Sequence, residues 1–443
     1  MSLTEAIVDK YRNTILKIDP IKTNGRVLNV IGLVIVSSGP NVSLGEICRV
    51  VDNKGREVCK SEVVGFKEGK VLSISLGEVE NISPACEIIA SGEKFNIAVG
   101  NSLLGRVIDG FGNPIDGKSP PEGLQKRNVY REPPNPLLRK RIAKPLQTGI
   151  RSIDAILTCG KGQRVGIFSG SGVGKSVMLG MIARNTDADI SVIVLVGERG
   201  REVREFIEKD LGEEGLKRSV VIVATSDKPA LMRIKAAFIG TTIAEYFRDQ
   251  GKDVVLMMDS VTRFAHAQRE VGLTIGEPPT TKGFTPSVFA VLPKLLERAG
   301  TSSDGSITGF YSVLVDGDDL TEPIADAVRS ILDGHIVLSR KLANKGQYPA
   351  IDPLQSVSRV MPDIISEDHR LRAVEFNEIL STYSEAEDLI NIGAYVKGSN
   401  PQIDHALLKI GSLRTFLKQD MNEKAIFPES INRLNSIIER PLS

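Results

Sequence analysis

Apolar residues fall four apart at Leu3, Ile7, Tyr11 and Ile15, which predicts an amphipathic helix over the first 18 residues of a segment bounded at 1–20. The pattern then changes. From Gly25 to about Val99, short β-branched runs alternate with turn signals at Gly39-Pro40, Asp52-Asn-Lys-Gly55 and Lys67-Glu-Gly-Lys70. Turn signals at that spacing favour a small antiparallel barrel over 21–99. Residues 100–147 are rich in Gly and Pro, with Pro114, Pro120, Pro121, Pro133, Pro134, Pro136 and Pro145. Proline lacks a donor and holds the preceding residue out of the helical region, so an extended connector is expected. Between 148 and 362, apolar runs such as Val192–Val196 and Val254–Met258 alternate with amphipathic stretches such as 229–250. That alternation predicts a parallel sheet wrapped by helices. Residues 363–443 read as helical, over 367–380, 384–394 and 404–419.

Composition limits what such a chain can be. With 443 residues, 41% hydrophobic and 25% charged, it has the make-up of a globular protein of two or three domains. No apolar run approaches the roughly 18–20 residues needed to span a bilayer, and the N-terminus has no charged-then-apolar secretory pattern. Cys48, Cys59, Cys86 and Cys159 are scattered and without CxxC pairing, which points to reduced thiols and neither zinc nor disulfides. A net charge of +1 argues against a nucleic-acid surface covering the protein.

Chemistry concentrates in Gly166-Ile-Phe-Ser-Gly-Ser-Gly-Val-Gly-Lys-Ser176. A strand end, a glycine-rich loop and a Lys-Ser pair opening a helix point successive backbone N–H groups into one concavity. Ser169, Gly170, Ser171, Gly172, Val173, Gly174, Lys175, Ser176 and Val177 are therefore expected around bound phosphates. Lys175 would reach the β- and γ-phosphates, and Ser176 would ligate Mg²⁺. Ser169 stands where the strict pattern has Gly, which is compatible if that position needs no positive φ. Val254–Met258 ends in Asp259, a carboxylate placed beside the loop to help hold the metal. Val192–Val196 ends in Gly197-Glu198, and a carboxylate just past a buried strand can deprotonate a water attacking the γ-phosphate.

The chain from about 149 to 359 resembles the catalytic subunits of rotary-type ATPases, and in particular the flagellar type III protein-export ATPases. The residues that carry this are Ser169–Ser176, Gly197–Val203, Met258–Phe264, Gly276–Gly283, Val315–Leu320, Ile331–Arg340, Tyr348–Pro353 and Ser356–Met361, all in one order. The resemblance implies an α/β P-loop core preceded by a β-barrel and followed by a helical domain. It also implies Mg²⁺-dependent ATP hydrolysis at sites between the subunits of a homohexamer. Glu198 matches the catalytic carboxylate, where non-catalytic sister subunits carry Gln. Arg199, Glu202 and Arg263 match charged positions around phosphates and metal, and Glu202 is assigned to the metal. Arg359 matches an arginine finger supplied by a neighbouring subunit, and Tyr348 an aromatic that packs on adenine. Expected partners are a stator-like regulatory protein at the N-terminal helix, a central-stalk-like coiled coil, export chaperones and substrates, and the membrane export gate, with no nucleic acid. The expected location is the cytoplasm, peripherally at the inner face of the membrane. The ATPase of a virulence-type (injectisome) secretion system shares nearly all of these motifs and stands as the alternative. A rotary synthase subunit fits less well, since the C-terminal segment lacks that family's acidic stretch.

Overall fold

A computed structural model describes residues 24–77, 81–315, 317 and 319–438. The helix expected over the first 18 residues lies outside them. The chain forms two compact units, one running to Phe95 and including Thr274–Gly276, the other made of 96–273 and the residues from Glu277 on.

The first unit is a closed antiparallel barrel of β1 (Gly25–Ile31), β2 (Val34–Ser37), β3 (Glu46–Val51), β4 (Glu57–Lys67), β5 (Lys70–Ser75) and β6 (Glu87–Lys94), ordered β1-β2-β5-β4-β3-β6. Closure removes the open edges that a small sheet would otherwise expose. Val27, Ile35, Cys48, Val50, Val63 and Ile88 fill its core. The turn expected at Lys67–Lys70 is a tight hairpin: Lys67 pairs with Lys70, and Glu68 (φ 51°) and Gly69 (φ 73°) are both left-handed. Two such residues match the twist of the flanking strands. All four cysteines are buried and unbridged, and burial pushes the Cys48 thiol up to about 12.

The second unit is built on a nine-stranded sheet of β8 (Arg106–Asp109), β10 (Arg164–Ser169), β11 (Ile190–Val196), β12 (Ser219–Ala224), β13 (Asp253–Asp259), β14 (Gly300–Thr301), β15 (Ser306–Leu314), β16 (Gly334–Leu338) and β17 (Ile351–Ser358). The order is β17-β16-β10-β15-β13-β11-β12-β8, with β14 pairing β15. Every residue of β11 and β12 is buried, as a parallel sheet covered on both faces requires. The sheet is parallel as expected, with antiparallel pairing only where β17 joins β16 and β14 joins β15. Helix Ala230–Arg248 packs across β11, β12 and β13 and is buried along most of its length.

The proline-rich stretch does more than connect. Its β8 extends the sheet by pairing in parallel with β12, and β9 (Gln125–Asn128) pairs with β7 (Asn96–Val99). Four residues with two charged ends give no strand signal. Arg106 is neutralised locally, with Nε and Nη2 donating to Asp116 at 2.6 and 2.8 Å, and this holds the Asp116 carboxyl far below its usual range. Farther along, the Val129 carbonyl accepts from Arg298 Nη1 at 2.7 Å. Arg298 also makes a bidentate pair with Glu245 at 2.8 and 2.8 Å, with both side chains 1% exposed. Removing one partner strands a buried charge. Arg298→Ala is therefore expected to cost about 3–5 kcal/mol of stability, read as a lowered urea midpoint. A loss below about 1 kcal/mol would contradict that reading.

The C-terminal helices differ in detail from expectation. Residues 367–380 and 384–391 belong to one helix, Glu367–Asn391, which ends three residues short of the expected 394. In the gap between those two stretches, the Ser381 and Thr382 hydroxyls bond Glu385 (3.1 Å) and the Glu378 carbonyl (2.9 Å) within the helix, and Tyr383 is buried. The next helix, Pro401–Leu417, starts three residues before Asp404, with Pro401 in its first turn and Asn400 accepting from Gln402 N at 2.9 Å. A last helix, Phe427–Ile438, has no counterpart in the sequence reading.

Candidate nucleotide-binding site

Strand β10 ends at Ser169, loop 170–174 follows, and helix Lys175–Asn185 begins at once. Gly172 (φ 79°) and Gly174 (φ 88°) need the left-handed region, whereas Ser169 does not. Ser169 is a fully buried strand residue between Leu314 and Leu338, so a small side chain suffices there. No side chain caps the helix N-terminus at Gly174. Its first N–H groups are thus left for an anion, assisted by the helix dipole.

Three charged groups converge behind the loop. Lys175 Nζ lies 2.5 Å from Asp259 Oδ1 and 4.0 Å from Glu198 Oε1. Asp259 is buried at the end of β13 and also accepts from Ser312 Oγ of β15 at 2.8 Å. Glu198 follows β11 through Gly197 (φ 71°), where a Cβ would stand 2.9 Å from that of Arg263. Burial and then the Asp259 carboxylate push Glu198 up to about 7, against the pull of Lys175. The hydrogen bond from Glu198 holds the Glu202 carboxyl below its usual range. A carboxyl poised near neutrality beside an anion cradle is equipped to take a proton from water.

Gly170, Ser171, Gly172, Gly174, Lys175, Ser176, Val177, Glu198, Arg199, Glu202 and Arg263 line one cavity of about 720 Å³. The oxygen ligands that line it are the Ser176 hydroxyl and the Glu198 and Glu202 carboxylates, with Asp259 set behind them against Lys175, all hard oxygens. Among the described residues no group of three His, Cys, Asp or Glu side chains is arranged to hold a metal. That set fits Mg²⁺, which keeps waters and takes phosphate oxygens alongside one or two protein ligands.

Family models agree with each part. The nucleotide-binding domain of the ATP synthase alpha/beta family matches 149–358, and the beta-barrel domain of that family matches 27–92. The T3SS EscN ATPase C-terminal domain matches 365–436. The "Flagellum-specific ATP synthase" of Bacillus subtilis (strain 168) is 57% identical over 98% of this chain and 98% of that protein. The chain belongs to the ATP synthase alpha/beta family, in its flagellar and type III secretion branch. It is an ATPase. Among solved structures, the assembled ATPase EscN of the enteropathogenic E. coli type III secretion system has a TM-score of 0.89 at 45% identity, covering 94% of this chain and all of that one. EscN in complex with its central stalk EscO gives a TM-score of 0.87 with the same coverage and identity.

Not every residue expected at the site of this ATPase reaches the phosphate cavity. Val173 is buried beneath the loop, and Asp259 meets the cavity through Lys175. Arg199 stands at the rim, its side chain 82% exposed and 3.7 Å from Glu202. Tyr348 is 48% exposed, and its ring lies 3.4 Å from where a Cβ on Gly174 would be. It borders a second, apolar cavity of about 310 Å³ with Val177, Met178, Met181, Pro349 and Met421. Arg359, at the end of β17, is exposed and donates to the Leu332 carbonyl at 3.4 Å, away from both cavities. Ser312 and Met421 escape sequence reasoning. Ser312 reads as one polar residue in a buried strand, and Met421 lies far along the chain in a segment with no motif.

Proposed function

We propose that this ATPase hydrolyses Mg-ATP as a homohexamer and thereby energises flagellar type III protein export. The hydrolytic reading is carried by one observation: Glu198, pushed up to about 7, stands 4.0 Å from the loop lysine. Water attacks the γ-phosphorus, its proton passes to Glu198, and the bond to the β–γ bridging oxygen breaks to release ADP. Lys175 lies against the transferring phosphoryl group, while Ser176 and Asp259, with Glu202 nearby, hold Mg²⁺. Mg²⁺ supplies charge neutralisation on the phosphate oxygens. Arg199 and Arg263 add positive charge at the rim. Tyr348 packs on adenine over the apolar cavity. Arg359 reaches the site of an adjacent subunit, in keeping with its distance from the loop of its own chain.

The assembled EscN and its complex with EscO support a hexamer with a central stalk. By family likeness the further partners are a stator-like regulator, export chaperones with their substrates, and the export gate. With those partners the enzyme works in the cytoplasm, peripherally at the inner face of the membrane. The flagellar reading is favoured over the injectisome one by 57% identity to the flagellum-named relative, against 48% to the "Type 3 secretion system ATPase" of Xanthomonas euvesicatoria over nearly the same length. Two measurements test the proposal. Hydrolysis per subunit should rise with protein concentration, since shared sites need assembly. Expressed in a flagellated bacterium lacking its own export ATPase, the chain should restore filament-protein secretion and motility. A flat specific activity, or rescue of an injectisome strain alone, would refute it.

A further inference from the structure

One wall of the apolar cavity is made by Gln419, Asp420 and Met421, which lie between helices Pro401–Leu417 and Phe427–Ile438. Its floor is Gly174, Val177, Met178 and Met181 of the loop and its helix. Loop residues make an imprecise wall unless something anchors them. Two guanidinium groups do so here. Arg151, 4% exposed, sends Nη1 to the carbonyls of Phe416 (3.1 Å) and Lys418 (2.9 Å), and its Nη2 pairs with Glu423. Phe416 lies in the last turn of Pro401–Leu417, where carbonyls lack helical partners and a cation is favoured. The Arg151 backbone N–H donates to Gln419 Oε1 at 2.8 Å. Gln419 in turn donates to the carbonyls of Gly149 (2.8 Å) and Glu423 (2.9 Å), and its N–H reaches the Tyr348 carbonyl at 2.9 Å. Arg184, in the last turn of helix Lys175–Asn185, donates to the Met421 carbonyl at 2.7 Å. The helix that presents the phosphate loop at one end thus grips the base wall at the other.

We infer that Arg151 and Arg184 are positioning residues for the nucleotide base: they fix residues 419–421 at the spacing a planar ring needs before the ligand arrives. Neither lines the cavity, so each acts through the wall it holds. Preorganisation of this kind lowers the cost of ordering on binding. The inference rests on the proposed binding of ATP phosphates at the loop.

The test compares two ligands of the full-length protein, Mg-ATP and Mg-tripolyphosphate, which carries phosphates but no base. In the unsubstituted protein, tripolyphosphate competes with ATP. Arg184→Ala, which removes a charged hydrogen bond at a half-buried side chain, raises KM for ATP about tenfold. It leaves kcat and the tripolyphosphate inhibition constant within about twofold. Arg184→Lys, which keeps a donor, recovers most of the affinity, and Arg151→Lys shows the same ATP-selective loss in smaller degree. Equal weakening of both ligands, an unchanged KM, or a fall in kcat alone overturns the inference. Failure of tripolyphosphate to compete in the unsubstituted protein overturns the phosphate-loop reading, and the inference with it.

Discussion

Glu198→Gln is expected to bind Mg-ATP with near-normal affinity while turnover falls about 10²–10⁴-fold, the range for loss of a positioned general base. The amide keeps the size and the hydrogen bond but cannot accept a proton. The carboxyl it replaces is suited to the task because burial and Asp259 raise its pKa to about 7 while Lys175 keeps it from rising further. Equilibrium binding of a fluorescent ATP analogue, set beside steady-state hydrolysis, separates the two effects. Matching losses in binding and turnover would mean that Glu198 supports the loop and not the chemistry. Turnover like that of the unsubstituted protein would leave the carboxylate a bystander.

Arg359→Ala and Lys175→Ala are each expected to lose about 10³–10⁵ in hydrolysis, the range for groups that neutralise charge on a transferring phosphoryl. For Lys175 the loss has a second source. Its ammonium is the cation beside both Asp259 and Glu198, and without it two buried carboxylates face each other. Mixing the two variants should restore part of the activity. Some interfaces of a mixed ring pair an intact loop with an intact neighbouring arginine, and neither variant alone has such an interface. The measurement is specific activity across mixing ratios, with co-assembly verified by mass. Absence of rescue in rings proven to be mixed would place Arg359 outside the reaction.

Much of this was legible in the sequence because the chemistry depends on local runs. A loop of alternating glycines before Lys-Ser is shaped to cradle phosphate, and a five-residue apolar run ending in Asp259 suits a buried parallel strand. What was hidden depends on partners distant in sequence. Strand β8 is four residues long and pairs with β12 more than a hundred positions on, so nothing near it marks it as sheet. Arg298 and Glu245 look like ordinary surface charges until helix and connector enclose them. Ser381 and Thr382 lie between the two helical stretches read from the sequence, and such hydroxyls can compete with a helix for backbone groups. In the folded helix those hydroxyls are satisfied internally. Met421 joined the base wall through a carbonyl, and a carbonyl leaves no trace in residue identity.

That the base wall is made of residues 419–421 also sets a timetable for the newborn enzyme. The phosphate loop leaves the ribosome well before its wall does, and at about 5–20 residues per second the interval is roughly 10–50 s. During that interval a growing chain carries the glycine loop and Glu198 but not residues 419–421, one wall of the proposed base slot. On the proposed reading, a chain at that stage can meet the phosphates of ATP but cannot yet seat its base.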